Sequence, residues 1–164
     1  MKSAFYITIL SIILYGCSTS KAYMPSTSQV STELTNLPSS NVSIKVSDIR
    51  GDKGDSENLK SLLKSEIENS LGKNNSATLS QNYILEIDIV EYRSYFSLAV
   101  WNGSAKLRAR LLSSDNSIVG TFEGVGASQR SNTMGNATAK RVAQDAYNSA
   151  VADLLSNLKS AKVN

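Results

Sequence analysis

Residues 105–111 read Ala-Lys-Leu-Arg-Ala-Arg-Leu, with an apolar side chain at every odd position and a basic one at every even position. A period of two is the mark of a β-strand with one face buried and the other wet. A chain holding such a segment must build a sheet, leave one face to water, and cover the other. The same period recurs at Val42, Ile44 and Val46, which alternate with Ser43, Lys45 and Ser47. It recurs again at Tyr83, Leu85, Ile87 and Ile89, with Glu86 and Asp88 on the opposite side. A fourth strand is expected over Ile118–Gln129, weakened or bulged by Gly120, Gly124 and Gly126.

Two segments carry the helical period instead. Leu59, Leu62, Leu63, Ile67 and Leu71 recur at three-to-four spacing, with Lys60, Lys64, Glu66 and Glu68 elsewhere on the wheel. Asp55 or Ser56 can cap the start of this helix, and Gly72 stands where it should end. Ala139, Val142, Ala143, Ala146, Ala150, Leu154 and Leu158 mark a longer helix over about 136–159, whose alanines allow close approach to a sheet. The predicted order is β-α-β-β-β-α. That order implies an α+β two-layer sandwich, a four-stranded mixed sheet with two helices on one face. The strand pair joined through the first helix should be parallel, and the last three strands should form an antiparallel meander. Ser113–Asn116 is one expected turn, and Asn102-Gly103 is a candidate for another.

The N-terminal segment is of a different kind. Lys2 precedes a mostly apolar stretch, Ala4–Tyr15, which is shorter than the ~20 residues that span a bilayer. A charge followed by a short apolar run is an export signal. It ends in Leu14-Tyr15-Gly16-Cys17, which resembles the lipobox of bacterial lipoproteins, with Leu14, Gly16 and Cys17 matching. Cys17 is the sole cysteine, so no internal disulfide competes for it. The resemblance implies cleavage before Cys17 and lipid on its sulfur. With Ser18 in the next position, it further implies delivery to the outer membrane, facing the periplasm. The expected organisation is a signal peptide over 1–16, a lipidated cysteine with a Ser/Thr-rich tether over 17–40, of which a strand of the domain could still claim a few residues, and a single domain over 41–160. As flexible coil the tether would reach roughly 25 Å.

Composition narrows the chemistry. Without residues 1–16 the chain holds 16 basic and 14 acidic residues, a charge of +2 with no basic block, which speaks against nucleic acid. Histidine is absent, which removes the commonest general base and metal ligand. No enzyme activity, cofactor or metal site is expected. Glu86 and Asp88 share a strand face, as paired catalytic carboxylates do, but Lys106, Arg108 and Arg110 lie opposite at the same period, and cross-strand ion pairs account for both sets. The segment Gly120–Gly135 runs from strand to helix as phosphate-binding loops do, yet it lacks both the third glycine and the Gly-Lys-Ser/Thr those loops need. Tyr92, Tyr95, Phe96 and Trp101 cluster around one strand connection. They either close the open end of the core or pair across the hairpin, or they form a partner-binding or membrane-facing patch, for which aromatic residues are favoured.

The lipobox and tether, the strand VSIKVSDIR leading into a helix, the strand NYILEIDIVEY, the strand pair GSAKLRARLLSSDNSIVGTF and the alanine-rich last helix together resemble the small outer-membrane lipoproteins typified by YajG. The resemblance carries no catalytic motif. It implies a lipid-anchored, non-enzymatic envelope protein that binds another envelope component, with an envelope protein as the expected partner. The alternative is a lipid or small-ligand carrier, or an auxiliary subunit of an envelope transport or secretion system, which would need an apolar groove between helix and sheet.

Overall fold

Four long strands, each paired as the alternation requires, carry the molecule. The computed structural model describes residues 23–28, 30, 32–38, 40–51, 55–72, 82–131 and 136–161, so Cys17 and the rest of 1–22 lie outside the described residues. The elements run β1 (Leu34–Pro38), β2 (Val42–Asp48), α1 (Ser56–Ser70), β3 (Leu71–Gly72), β4 (Tyr83–Ser97), β5 (Val100–Ser113), β6 (Ile118–Ser131) and α2 (Asn136–Lys159). The main sheet has the order β2-β4-β5-β6, with β2 parallel to β4 and the other pairs antiparallel. Both helices cover one face, giving the two-layer α+β sandwich expected from the alternation. The buried layer joins Ile44, Leu85, Ile87, Leu107, Ala109 and Leu111 of the sheet to Leu59, Leu63 and Ile67 of α1 and to Ala146, Ala150 and Leu154 of α2.

Register is set by that buried face and shifts at two places in the main sheet: in β6, where Val119 is passed over between the partners of Leu111 and Leu112, and in β4. Ile89 pairs with Leu107, but Glu91 pairs with Lys106, so Val90 is an extra residue, a β-bulge. The bulge exchanges the faces of β4. Odd positions up to Ile89 point into the core, and beyond it the even positions Tyr92, Ser94 and Phe96 take over.

α2 lies unusually close to the sheet. A Cβ on Gly126 would collide with the carbonyl oxygen of Ala146, one on Gly124 with that of Ala150, and one on Gly103 with that of Val142. These glycines leave room for a helix backbone rather than for a bend. Gly103 is therefore not in a turn; it pairs with Ser94 and Ser128 inside the ladder. The turn falls at Leu98-Ala99 instead, where both residues have positive φ, 50° and 63°, the shape of a type I′ hairpin.

The start of the domain also differs from expectation. Residues assigned to the tether lie against the fold: Tyr23, Met24 and Val30 pack on the core, and Leu34 and Leu37 are wholly buried in it. β1 pairs in parallel with β3, so α1 ends in this two-residue pairing instead of a left-handed glycine cap. Ser26 exchanges hydrogen bonds with Gln144 of α2, its N–H donating to Oε1 at 2.6 Å and its carbonyl accepting from Nε2 at 3.0 Å. Further on, Asn36 Nδ2 donates to the carbonyls of Leu158 and Ala161. The segment thus runs as a strap along α2 from its first turns to its last. Apolar side chains spaced too irregularly for either period drive this docking, which is why the segment reads as linker.

Candidate functional site

One end of the sandwich gathers the β4–β5 hairpin, the first turns of α2 and the start of the strap. Trp101, Ala139 and Val142 form a small buried cluster there, with Tyr23 and Phe96 packed against it. Phe96 and Trp101 are register partners, and their rings lie 5.4 Å apart at 52°. Two residues beyond Phe96 is Leu98, 94% exposed at the hairpin tip.

The four aromatics expected to share one contact surface do not. Tyr92 is 5% exposed, edge-on to Tyr147 at 5.9 Å, and belongs to the main core. Trp101 is 7% exposed, under the first turns of α2. Phe96 is half-buried on the inner face, whereas Tyr95 sits on the outer face with the Arg93 guanidinium 5.2 Å from its ring. The bulge at Val90 causes this division, because it turns Tyr92 and Phe96 inward and leaves Tyr95 outside. Cys17, the expected lipidation site, lies outside the described residues.

The outer face of the sheet is a ladder of opposite charges. Glu86 meets Lys45 at 3.7 Å and Arg110 at 3.3 Å, and Arg110 also reaches Asp88 at 3.7 Å. Glu123 meets Lys106 at 3.1 Å and Arg108 at 3.7 Å. These sheet-face carboxylates, Glu86, Asp88 and Glu123, are each engaged by a neighbouring cation, at distances typical of solvated pairs worth ~0.2–1 kcal/mol. Gly124 and Gly126 of β6 are taken up by close packing against the backbone of α2. Among the described residues no group of His, Cys, Asp and Glu is placed to hold a metal ion, and no helix is long and apolar enough to cross a membrane.

Two buried polar clusters were not legible as such. Asp48 and Arg50 form a bidentate pair, with Arg50 Nη2 2.7 Å from Asp48 Oδ2 and Nε 2.9 Å from Oδ1. Burial by itself would raise the Asp48 pKa, but hydrogen bonds from Arg50 and Ser56, with the guanidinium charge, hold it at about 2. The guanidinium also stands 5.9 Å over the Tyr92 ring, and burial pushes the Tyr92 hydroxyl well above its ordinary range. The second cluster centres on Glu66, which helical periodicity assigns to the wet side of α1 but which is buried. Its carboxylate accepts from the Tyr147 hydroxyl and from the Ser28 N–H of the strap. It lies at the floor of a cleft of about 440 Å³ lined by Thr27, Ser28, Val30, Asn69 and Ser70. Between α2 and β5–β6, where a carried ligand would need a groove, the backbones touch.

No protein-family profile matches the chain, and no curated protein matches it. Solved structures do. Lipoprotein GNA1162 from Neisseria meningitidis is 15% identical, with a TM-score of 0.37, covering 59% of this chain and 88% of that one. A PelC dodecamer from Paraburkholderia phytofirmans is 14% identical, with a TM-score of 0.42, covering 88% and 99%. A candidate lipoprotein from Caulobacter crescentus CB15 is 11% identical, with a TM-score of 0.39, covering 70% and 84%. At these identities and TM-scores no residue's role passes from them to this chain.

Proposed function

We propose that this chain is a lipid-anchored, non-enzymatic protein of the bacterial outer membrane, held by lipid on Cys17, whose periplasmic domain binds another envelope component. The observation that carries the reading is the docked strap. Tyr23 is already packed against Trp101, Ala139 and Val142, and Cys17 stands only six positions before it in the sequence. Six residues reach at most roughly 20 Å even when fully extended. An anchor at Cys17 would therefore keep the domain against the membrane with its hairpin end foremost, rather than floating on a long leash. The engaged carboxylates of the sheet face further support a binding role over catalysis.

The test is the mass of the N-terminal peptide from protein purified out of its native envelope, together with crosslinking in that envelope. The expected result is a peptide that begins at an acylated Cys17, and a crosslinked protein partner. An unmodified sulfur, or a leader still attached, would overturn the anchor; extractable bound lipid with no protein partner would overturn the binding role.

A further inference from the structure

We propose that the β4–β5 hairpin tip is a lipid-contacting wedge, with Leu98 entering the bilayer surface and Lys140 and Arg141 facing its anionic headgroups. The inference rests on the anchored reading of Cys17 and goes beyond it by naming the surface the domain presents.

Three observations converge. The first is the tip itself. Leu98 and Ala99 hold φ of 50° and 63°, a left-handed conformation suited to Asn and Gly and unfavourable for other side chains. A leucine in that place costs the fold twice, through backbone strain and through its 94% exposure. Strain combined with an exposed apolar side chain points to use rather than to packing.

The second is reach. Gly103 and Val142 touch, which gives strand and helix a common level. Leu98 is five strand residues from that level, about 16 Å at ~3.3 Å each. The start of α2 is six helical residues from it, about 9 Å at ~1.5 Å each. The tip stands about 7 Å beyond the first residue of α2 and two residues beyond Val100, the level reached by Ser131 at the end of β6, so Leu98 is placed to enter the headgroup–acyl boundary.

The third is what surrounds it. Tyr23, six positions after Cys17 in the sequence, packs on the cluster that also holds Phe96 and Trp101. At the same end Arg93 is paired with Glu91 and Arg130 with Asp145. Lys140 and Arg141 are exposed on the first turns of α2 and make no ion pair among the described residues. A projecting leucine, with two exposed cations set further back on α2 that make no ion pair among the described residues, fits an anionic lipid surface better than a flat protein face.

The experiment uses the full-length acylated protein in vesicles of phosphatidylethanolamine and phosphatidylglycerol. With Cys17 acylated, a cysteine introduced by Leu98→Cys is the sole free thiol and takes an environment-sensitive dye. The expected result is a blue-shifted emission quenched by lipid-borne spin labels. A dye at Ile118→Cys, on the opposite hairpin, should remain aqueous. Reversing charge with Lys140→Glu and Arg141→Glu should shift the tip toward water on the order of tenfold, and added salt should act in the same direction. Because Leu98 is exposed, the variants should fold, which their thermal midpoints verify. A dye at 98 as aqueous as one at 118, in protein whose acylation is confirmed by mass, overturns the wedge and leaves the anchor standing. If Cys17 proves unmodified, the anchored reading fails; quenching at 98 on added vesicles would still uphold the wedge, and its absence would overturn it. A blue shift that needs no vesicles would mark a protein occupant and would also overturn it.

Discussion

The Tyr147 hydroxyl donates to Glu66 Oε2 at 2.6 Å, joining the two helices from positions 81 residues apart. The other carboxylate oxygen accepts from Ser28, so one buried acid ties α1, α2 and the strap together. Burial, followed by the adjacent Glu66 charge, drives the Tyr147 hydroxyl far above its usual pKa, so it remains a donor across the accessible pH range.

Tyr147→Phe should therefore destabilise the domain by about 1–3 kcal/mol, since a buried carboxylate loses a partner. Glu66→Gln should cost less, because the amide oxygen can accept from the Ser28 N–H while Nε2 donates to the Tyr147 hydroxyl oxygen. Urea unfolding of the two variants checks the order. Equal midpoints for Tyr147→Phe and the parent would show that the bond contributes nothing.

Gly126→Ala should lower stability by about 1–3 kcal/mol despite adding only a methyl group, because the carbonyl of Ala146 already fills the site. Gly51 is the contrast: no atom lies within 4 Å of its would-be Cβ, and Gly51→Ala should be nearly neutral. Denaturation midpoints for the pair measure the difference.

Replacing Leu98-Ala99 by Asn-Gly should stabilise the fold by about 1–2 kcal/mol, because both residues then suit a positive φ. Calorimetry should show a rise of several degrees. A fall would mean that Leu98 makes contacts the isolated domain needs.

Asp48 gives the fold an acid-labile element. Its folded pKa of about 2 lies below the ordinary carboxylate value of 3.8, so the stability it contributes is complete above about pH 4 and is lost as pH falls toward 2. The linked change is about 2 kcal/mol. Asp48→Asn should abolish that portion of the pH dependence and also lower stability at neutral pH, where Arg50 is left buried without its carboxylate. Thermal midpoints at pH 2, 3, 4 and 7 test this; an unchanged acid profile in the variant would assign the effect to other carboxylates.

The alternation at 105–111 and the alanine spacing at 139–150 suffice for the sheet, the last helix and the side of the sheet it covers, because period maps directly onto a face. What they miss depends on contacts distant in sequence. The Asn102-Gly103 pair has the chemistry of a hairpin turn, but the approach of Val142 claims Gly103 for packing, and the turn moves to two residues with no turn preference. The bulge at Val90 does leave a trace. The apolar positions change parity between Ile89 and Tyr92, which would have split Tyr95 from Tyr92 and Phe96. Glu66 gives no such warning, since burial of a carboxylate follows from Tyr147 and Ser28, which no local pattern connects to it. The strap is hidden for the same reason: Leu34 and Leu37 become core only once β3 and α2 are beside them.

β6 is an edge strand, yet it is not an open one. Asp153 of α2 accepts from the Val125 N–H at 2.9 Å, and Asn157 donates to the Glu123 carbonyl at 2.8 Å. Side chains of the molecule's own helix thus occupy ladder positions in the middle of β6 that a second copy would otherwise use. Fibre growth through the main sheet needs two open sides, one to receive and one to offer. With the middle of β6 occupied, β2 is the more open edge of that sheet, and pairing between two β2 strands ends at two molecules. At high local concentration, that contact between α2 and β6 works against endless polymerisation.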